Sequence, residues 1–128
     1  MHGCKVFLPF MKPADAGYTV NVASVFGLVA APIQTAYYGS KFAVRGATDA
    51  LRQEVEFLGQ NIQVACASPA GIKTPIAQRA KVVLHPKSAS TPELERKKWR
   101  LGCIPCQKKA AADILRGIKK GRVRIHLV

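Results

Sequence analysis

Acidic side chains are scarce in this chain. Its 128 residues hold seven Asp and Glu against 20 Lys and Arg, a formal net charge of +13. The deficit is local. Residues 1–72 carry five basic and four acidic side chains, whereas residues 73–128 carry fifteen and three. Any electrostatic role therefore belongs to the second half. Long apolar runs are also missing: Gly, Pro, Gln or Tyr interrupts each one well short of the roughly 18 residues a membrane-spanning helix needs. The start, Met1-His2-Gly3-Cys4-Lys5, shows no basic head followed by an apolar stretch and a cleavage site. The expectation is a soluble, cytoplasmic chain whose four cysteines remain thiols. What is present, 48% hydrophobic and 21% charged residues, is the composition of one globular domain and not of a disordered tail.

The periodicities alternate between two kinds. Residues 2–12 put Val6, Phe7 and Phe10 on one helical face, with Pro9 inside the segment. Pro13 to Gly17 read as a turn. Tyr18 to Ala23 are largely β-branched or aromatic and apolar throughout, which suits a parallel strand covered on both faces. From Thr35 to Leu58 the apolar residues Ala43, Val44, Ala47, Leu51 and Val55 recur at three- and four-residue steps. This predicts a long helix with Thr35 as N-cap and Gly59 just past its end. Ile62 to Ala67 form a second buried strand, so strand, helix and strand make one right-handed βαβ unit. Residues 69–75 are a Pro/Gly loop. Residues 75–106 have weak periodicity and read as a lid segment, with a short helix over Pro92 to Arg100. Ala110 to Ile118 return to helical period, and Val123 to Val128 alternate as a third strand. The fold class is α/β: a partial doubly wound, Rossmann-type parallel sheet of three strands with flanking helices.

Three side chains carry chemistry in that frame. Ser24 follows the first strand, and open parallel sheets bind ligands beyond the carboxyl ends of their strands. Tyr37 and Lys41 stand four apart at the start of the long helix, so they share a face. An ammonium beside a phenol favours the phenolate, and a tyrosine tuned in that way can move a proton to or from an alcohol or carbonyl oxygen. Ser24 can hydrogen-bond the same oxygen. A lone Tyr-x-x-x-Lys occurs by chance on many helices, and the strand–loop–helix setting is what gives the trio weight.

Three stretches together resemble the second half of a short-chain dehydrogenase/reductase. They are Asn21-Val22-Ala23-Ser24-Val25-Phe26-Gly27, then Tyr37-Tyr38-Gly39-Ser40-Lys41, then Pro69-Ala70-Gly71-Ile72-Lys73-Thr74. The resemblance implies an oxidoreductase that uses NAD or NADP and transfers hydride between the cofactor and a small-molecule alcohol or carbonyl. It implies Ser24, Tyr37 and Lys41 as catalytic residues, with Ser24 and Tyr37 on the substrate. It implies Tyr37, Lys41, Pro69, Gly71, Ile72 and Thr74 as cofactor contacts, and no metal. It further implies homo-oligomer contacts through the helices of residues 2–12 and 35–58. The family's Gly-rich phosphate loop is missing, since no G-x-x-x-G-x-G occurs in the sequence. The residue that selects NAD or NADP is missing too, as is the asparagine of the family's catalytic tetrad. The expectation is thus a truncated form: residues 1–128 as the carboxyl-terminal part of one domain, without its dinucleotide-binding half and with weak cofactor binding of its own.

The alternative reading is a non-catalytic basic fragment that binds nucleic acid or a partner chain. Trp99 among Arg96, Lys97, Lys98 and Arg100 could grip phosphates or stack on a base, but a solvated helix face explains the cluster more simply, and nucleic acid is not the expected partner. Cys103 and Cys106 form a C-x-x-C that lacks two further ligands for zinc. His85 and His126 have no partner at ligand spacing. Asp49, Glu54 and Glu56 read as plain exposed charges.

Overall fold

The computed structural model describes residues 2–30, 32, 34–79, 81, 90–101 and 106–127. His85 and Cys103 fall outside them, as do the side chains of Trp99 and Arg100. The elements in chain order are α1 (His2–Ala14), β1 (Gly17–Val22), α2 (Thr35–Phe57), β2 (Ile62–Pro69), α3 (Ile76–Arg79), α4 (Pro92–Leu101), α5 (Gln107–Lys119) and β3 (Arg124–Leu127). A single 3-10 turn, Val25–Gly27, follows β1. The chain divides into two compact units, Met1–Ala70 with Asp113–Val128, and Gly71–Ala112.

In the first unit the strands form the expected parallel sheet, in the order β1-β2-β3. β2 is central, and from Val64 to Ser68 each of its residues is at most 2% exposed. That double-sided burial is why its sequence runs apolar instead of alternating. α2 crosses between β1 and β2. With Val55 and Leu51 it closes over Ile62 and Val64, joined by Cys4, Leu8 and Met11 of α1. Each fully buried aliphatic side chain of this kind contributes about 1.5–3 kcal/mol.

The turns obey local chemistry. α2 stops at Leu58, and Gly59 takes the left-handed conformation (φ 64°) that ends many helices. Asp15 takes φ 43° after α1 and accepts a 2.8 Å hydrogen bond from the Asn61 amide, tying that turn to the start of β2.

Three readings need correction. The cap of α2 is Gln34, not Thr35, and its side chain makes no capping bond. α1 runs through Pro13 to Ala14, so the turn is shorter than Pro13 to Gly17. Burial of Cys4 and Leu8 holds this helix together despite two internal prolines. The buried face of α1 is therefore that of Cys4 and Leu8, while Val6, Phe7 and Phe10 are exposed. Nor is Asp49 a plain exposed charge: it is half-buried and pairs with Arg124 at 3.1 Å, joining α2 to β3, whereas Glu56 is exposed as expected and pairs with Arg52 at 2.7 Å.

In the second unit α4 begins with Thr91, whose hydroxyl accepts from the Leu94 amide, then Pro92, with Glu93 and Glu95 in the first turn. These are the residues a helix amino terminus favours. A parallel bridge joins Lys73 to Cys106. Among the described residues, no helix is long and apolar enough to cross a membrane, and no cluster of His, Cys, Asp and Glu could hold a metal.

Cys4, Cys66 and Cys106 are free thiols, the first two buried. Burial pushes the Cys66 thiol above its ordinary value. Asp49 adds to the rise, and a hydrogen bond with Ser68 works against it. An unfolded thiol ionises near about 8.5, before the folded one. Above that pH the unfolded chain holds fewer protons, so stability falls as pH rises. Melting curves should show a smaller alkaline loss for Cys66→Ala than for the unmutated chain. An equal loss would mean that Cys66 does not titrate on unfolding. Cys106 should alkylate well before Cys4 or Cys66.

Candidate active site

The carboxyl ends of β1 and β2 lie side by side, with Val22 paired to Ala67 and the Ala23 amide bonded to the Ala67 carbonyl at 2.8 Å. Ser24 therefore sits one step beyond the sheet, beside the end of β2. It is extended (φ −172°, ψ 162°), and its hydroxyl caps the 3-10 turn by accepting from the Phe26 amide at 3.2 Å. The same hydroxyl donates to the Pro69 carbonyl over a long 3.4 Å. That second bond is weak, which leaves the hydroxyl able to turn to a better acceptor. Ser24 is 7% exposed.

The 3-10 turn fastens this end of the sheet to α2. A Cβ on Gly27 would stand 2.8 Å from the Lys41 carbonyl oxygen, so only glycine lets the two backbones approach this closely. Phe26 then packs between the two tyrosines of α2. Its ring meets Tyr37 edge-on at 6.2 Å between centroids, and Tyr38 at 5.1 Å. Tyr38 is buried, whereas Tyr37 is 43% exposed. The consecutive tyrosines thus divide between packing and a surface facing solvent. The Lys41 ammonium stands over the Tyr37 ring, 5.6 Å from its centroid.

The structure thus brings Ser24, Tyr37, Lys41 and Pro69 together in the first unit, linked through Phe26 and Gly27. Gly71, Ile72 and Thr74 belong to the second unit. There the Thr74 hydroxyl accepts from the Ile76 amide at 3.4 Å, at the start of α3. A cleft of about 230 Å³ at the opposite end of the strands, lined by Tyr18, Arg52, Gln60 and Gln63, contains none of these residues. Sequence reasoning assigned no role to Phe26 or Gly27. The signal was the glycine itself, a residue that permits close backbone approach.

Residues 1–82 match the family model described as short chain dehydrogenase. SadH of Mycobacterium tuberculosis, named as an oxidoreductase, is 38% identical over 125 residues, which is 98% of this chain and 44% of SadH. A short-chain dehydrogenase/reductase from Burkholderia phymatum, solved in complex with NAD, superposes with a TM-score of 0.82 at 26% identity, over 98% of this chain and 48% of that one. A short-chain dehydrogenase from Burkholderia cenocepacia, solved with NADP, shares the fold with a TM-score of 0.70 at 21% identity, over 97% of this chain and 43% of that one. The chain spans about half the length of the curated relatives it matches over nearly its whole length. Model, relative and fold agree: the chain belongs to the short-chain dehydrogenase/reductase family.

Proposed function

We propose that this chain carries the proton-transfer half of an NAD(P)-dependent oxidoreductase acting on an alcohol or carbonyl group. The observation that carries the reading is the meeting of Tyr37, under the Lys41 ammonium, with the turn that begins at Ser24. The donor set suits such a cofactor and substrate: one exposed phenol, one cation beside it, and one hydroxyl held by a weak bond. Tyr37 and Lys41 would hold the ribose next to the nicotinamide, and residues from Pro69 to Thr74 would lie along its ring. When bound, NAD(P)(H) supplies or accepts the hydride. Binding of NAD and NADP by solved family members supports the cofactor class.

The chain's own residues perform the proton step. In the reducing direction the Tyr37 hydroxyl donates its proton to the carbonyl oxygen as that oxygen becomes an alkoxide. In the oxidising direction the Tyr37 phenolate takes the proton from the alcohol. The Lys41 ammonium stands beside that phenol in both directions. Ser24 exchanges its long bond to Pro69 for one to the substrate oxygen and fixes where that oxygen stands.

The test uses a protein completed with the dinucleotide-binding half of a relative such as SadH. General acid–base catalysis contributes about 10²–10⁴-fold, so Tyr37→Phe should lower turnover by that factor and leave the fold intact. Turnover near the unmutated level would remove Tyr37 from the mechanism. Lys41→Met should lower turnover and weaken cofactor binding together, and a variant with normal affinity would refute the ribose contact.

The 128-residue chain alone contains no Gly-rich phosphate loop. Such a loop and its helix amino terminus supply the anion site for a pyrophosphate. Calorimetric titration with NAD, NADH, NADP and NADPH should therefore show little binding, and a micromolar affinity for any of them would overturn that expectation.

A second copy of the chain is the proposed partner for the exposed face of Val6, Phe7 and Phe10 on α1. Sedimentation should show self-association that Phe10→Glu reduces. A concentration-independent monomer would refute the contact.

A further inference from the structure

We propose that the hydrogen bond between Asn21 and Thr48 is a positioning contact, fixing the height at which α2 sits along β1 and so the placement of Tyr37 and Lys41 against Ser24. The proposal rests on the reading of those three residues as the active site.

The bond is part of a closed chain. The Asn21 Nδ2 donates to the Thr48 hydroxyl at 3.1 Å. That hydroxyl donates to the Val44 carbonyl at 2.6 Å, and the Asn21 Oδ1 accepts from the Cys4 thiol at 3.3 Å. Thr48 is 1% exposed, so this is a polar contact inside an otherwise apolar seam. The seam's other members, such as Leu51 and Val55 against Ile62 and Val64, are non-directional and tolerate sliding. This part-buried amide-to-hydroxyl bond is made in one register and broken in every other, the property by which an Asn fixes register in coiled coils.

The distances along the two elements match. Thr48 is seven residues after Lys41 and eleven after Tyr37, steps that keep all three on one stripe of the helix. At 1.5 Å per residue, Lys41 stands about 10.5 Å from Thr48 along the axis. Ser24 is three residues beyond Asn21, about 10 Å along an extended chain. β1 and α2 run in opposite directions past this point. Pinning Asn21 to Thr48 therefore brings Lys41 to the level of Ser24 and Tyr37 one turn beyond it. A shift of one helical turn, about 5.4 Å, would separate them. Gly27 against the Lys41 carbonyl permits the close approach, and the Asn21–Thr48 bond selects the height.

The test reads geometry and not turnover, so its failure is distinct from failure of the proposed activity. Nuclear magnetic resonance of the full 128-residue chain, labelled at Phe, Tyr and Lys, monitors two signals. One is the ring-to-ring cross-peak between Phe26 and Tyr37. The other is the shielding of the Lys41 side chain by the Tyr37 ring. Thr48→Ser keeps the hydroxyl and should keep both signals. Thr48→Val keeps the shape without the hydroxyl, and Asn21→Asp keeps the acceptor for Cys4 without the donor. Both should lose the cross-peak and the shielding while far-ultraviolet circular dichroism shows unchanged helix content. Unchanged signals in a folded Thr48→Val chain would overturn the proposal. If Thr48→Val does not fold, Asn21→Asp decides by the same two signals. If neither folds, the bond is a stability element only and the proposal falls.

Discussion

The Lys41 carbonyl lies where the side chain of any residue but glycine at position 27 would stand. That close approach couples two parts of the fold that also meet through Phe26 and the two tyrosines. The 3-10 turn begins at Ser24, and α2 carries Tyr37 and Lys41 on its first turns. Because the backbones touch, Phe26 reaches both tyrosines, burying one and leaving the other facing out. A larger residue at 27 would push α2 away from the strand end, and the phenol, the ammonium and the serine would move apart together. Geometry within about half an ångström is what such a site requires.

The rest of the first unit keeps that approach rigid. β2 is shielded on both faces, so β1 is held against a strand that has little freedom to shift. α2 rests on the same layer through Val55 and Leu51. The Asp49–Arg124 pair adds a tie from α2 to β3, but Arg124 is well exposed, and a pair of this kind contributes about 0–1 kcal/mol. The weight falls on buried contacts near the site and not on surface charge, although charge is the most conspicuous feature of the composition.

Much of this was legible in the sequence for a physical reason. Burial on both faces writes itself as an unbroken apolar run, and a helix lying on a sheet writes itself as a three- and four-residue repeat. α2 and β2 were readable on those grounds, as was Gly59, because a left-handed residue after a helix is usually glycine. β1 was read in the same way, but its residues are only half-buried and Val22 is 53% exposed, so its cover on both faces is not borne out. The cap of α2 was not readable. Thr35 has the right chemistry, but the helix begins after Gln34 with no capping bond, so packing of the 3-10 turn decides where it starts. The inward face of α1 was not readable either. Val6, Phe7 and Phe10 are its most apolar stripe, yet the core takes Cys4 and Leu8. Hydrophobicity alone ranks faces by their preference for any apolar surface, including one outside the chain.

The candidate site shows the same division. Residue type and spacing picked out Ser24, Tyr37 and Lys41 as candidates, because proton-transfer chemistry asks for those groups at the end of a strand and on the first turns of a helix. They gave no role to Gly27, Asn21 or Thr48. A threonine in mid-helix and an asparagine inside an apolar strand are each mildly unfavourable where they stand. In isolation each reads as noise. They become intelligible as a pair, since each supplies the partner that makes burial of the other tolerable. Chemistry-bearing residues are recognised by type and local spacing, but residues that hold them in place are defined by distant partners. In this chain those partners lie 27 residues apart in sequence and meet only once the strand and the helix are folded.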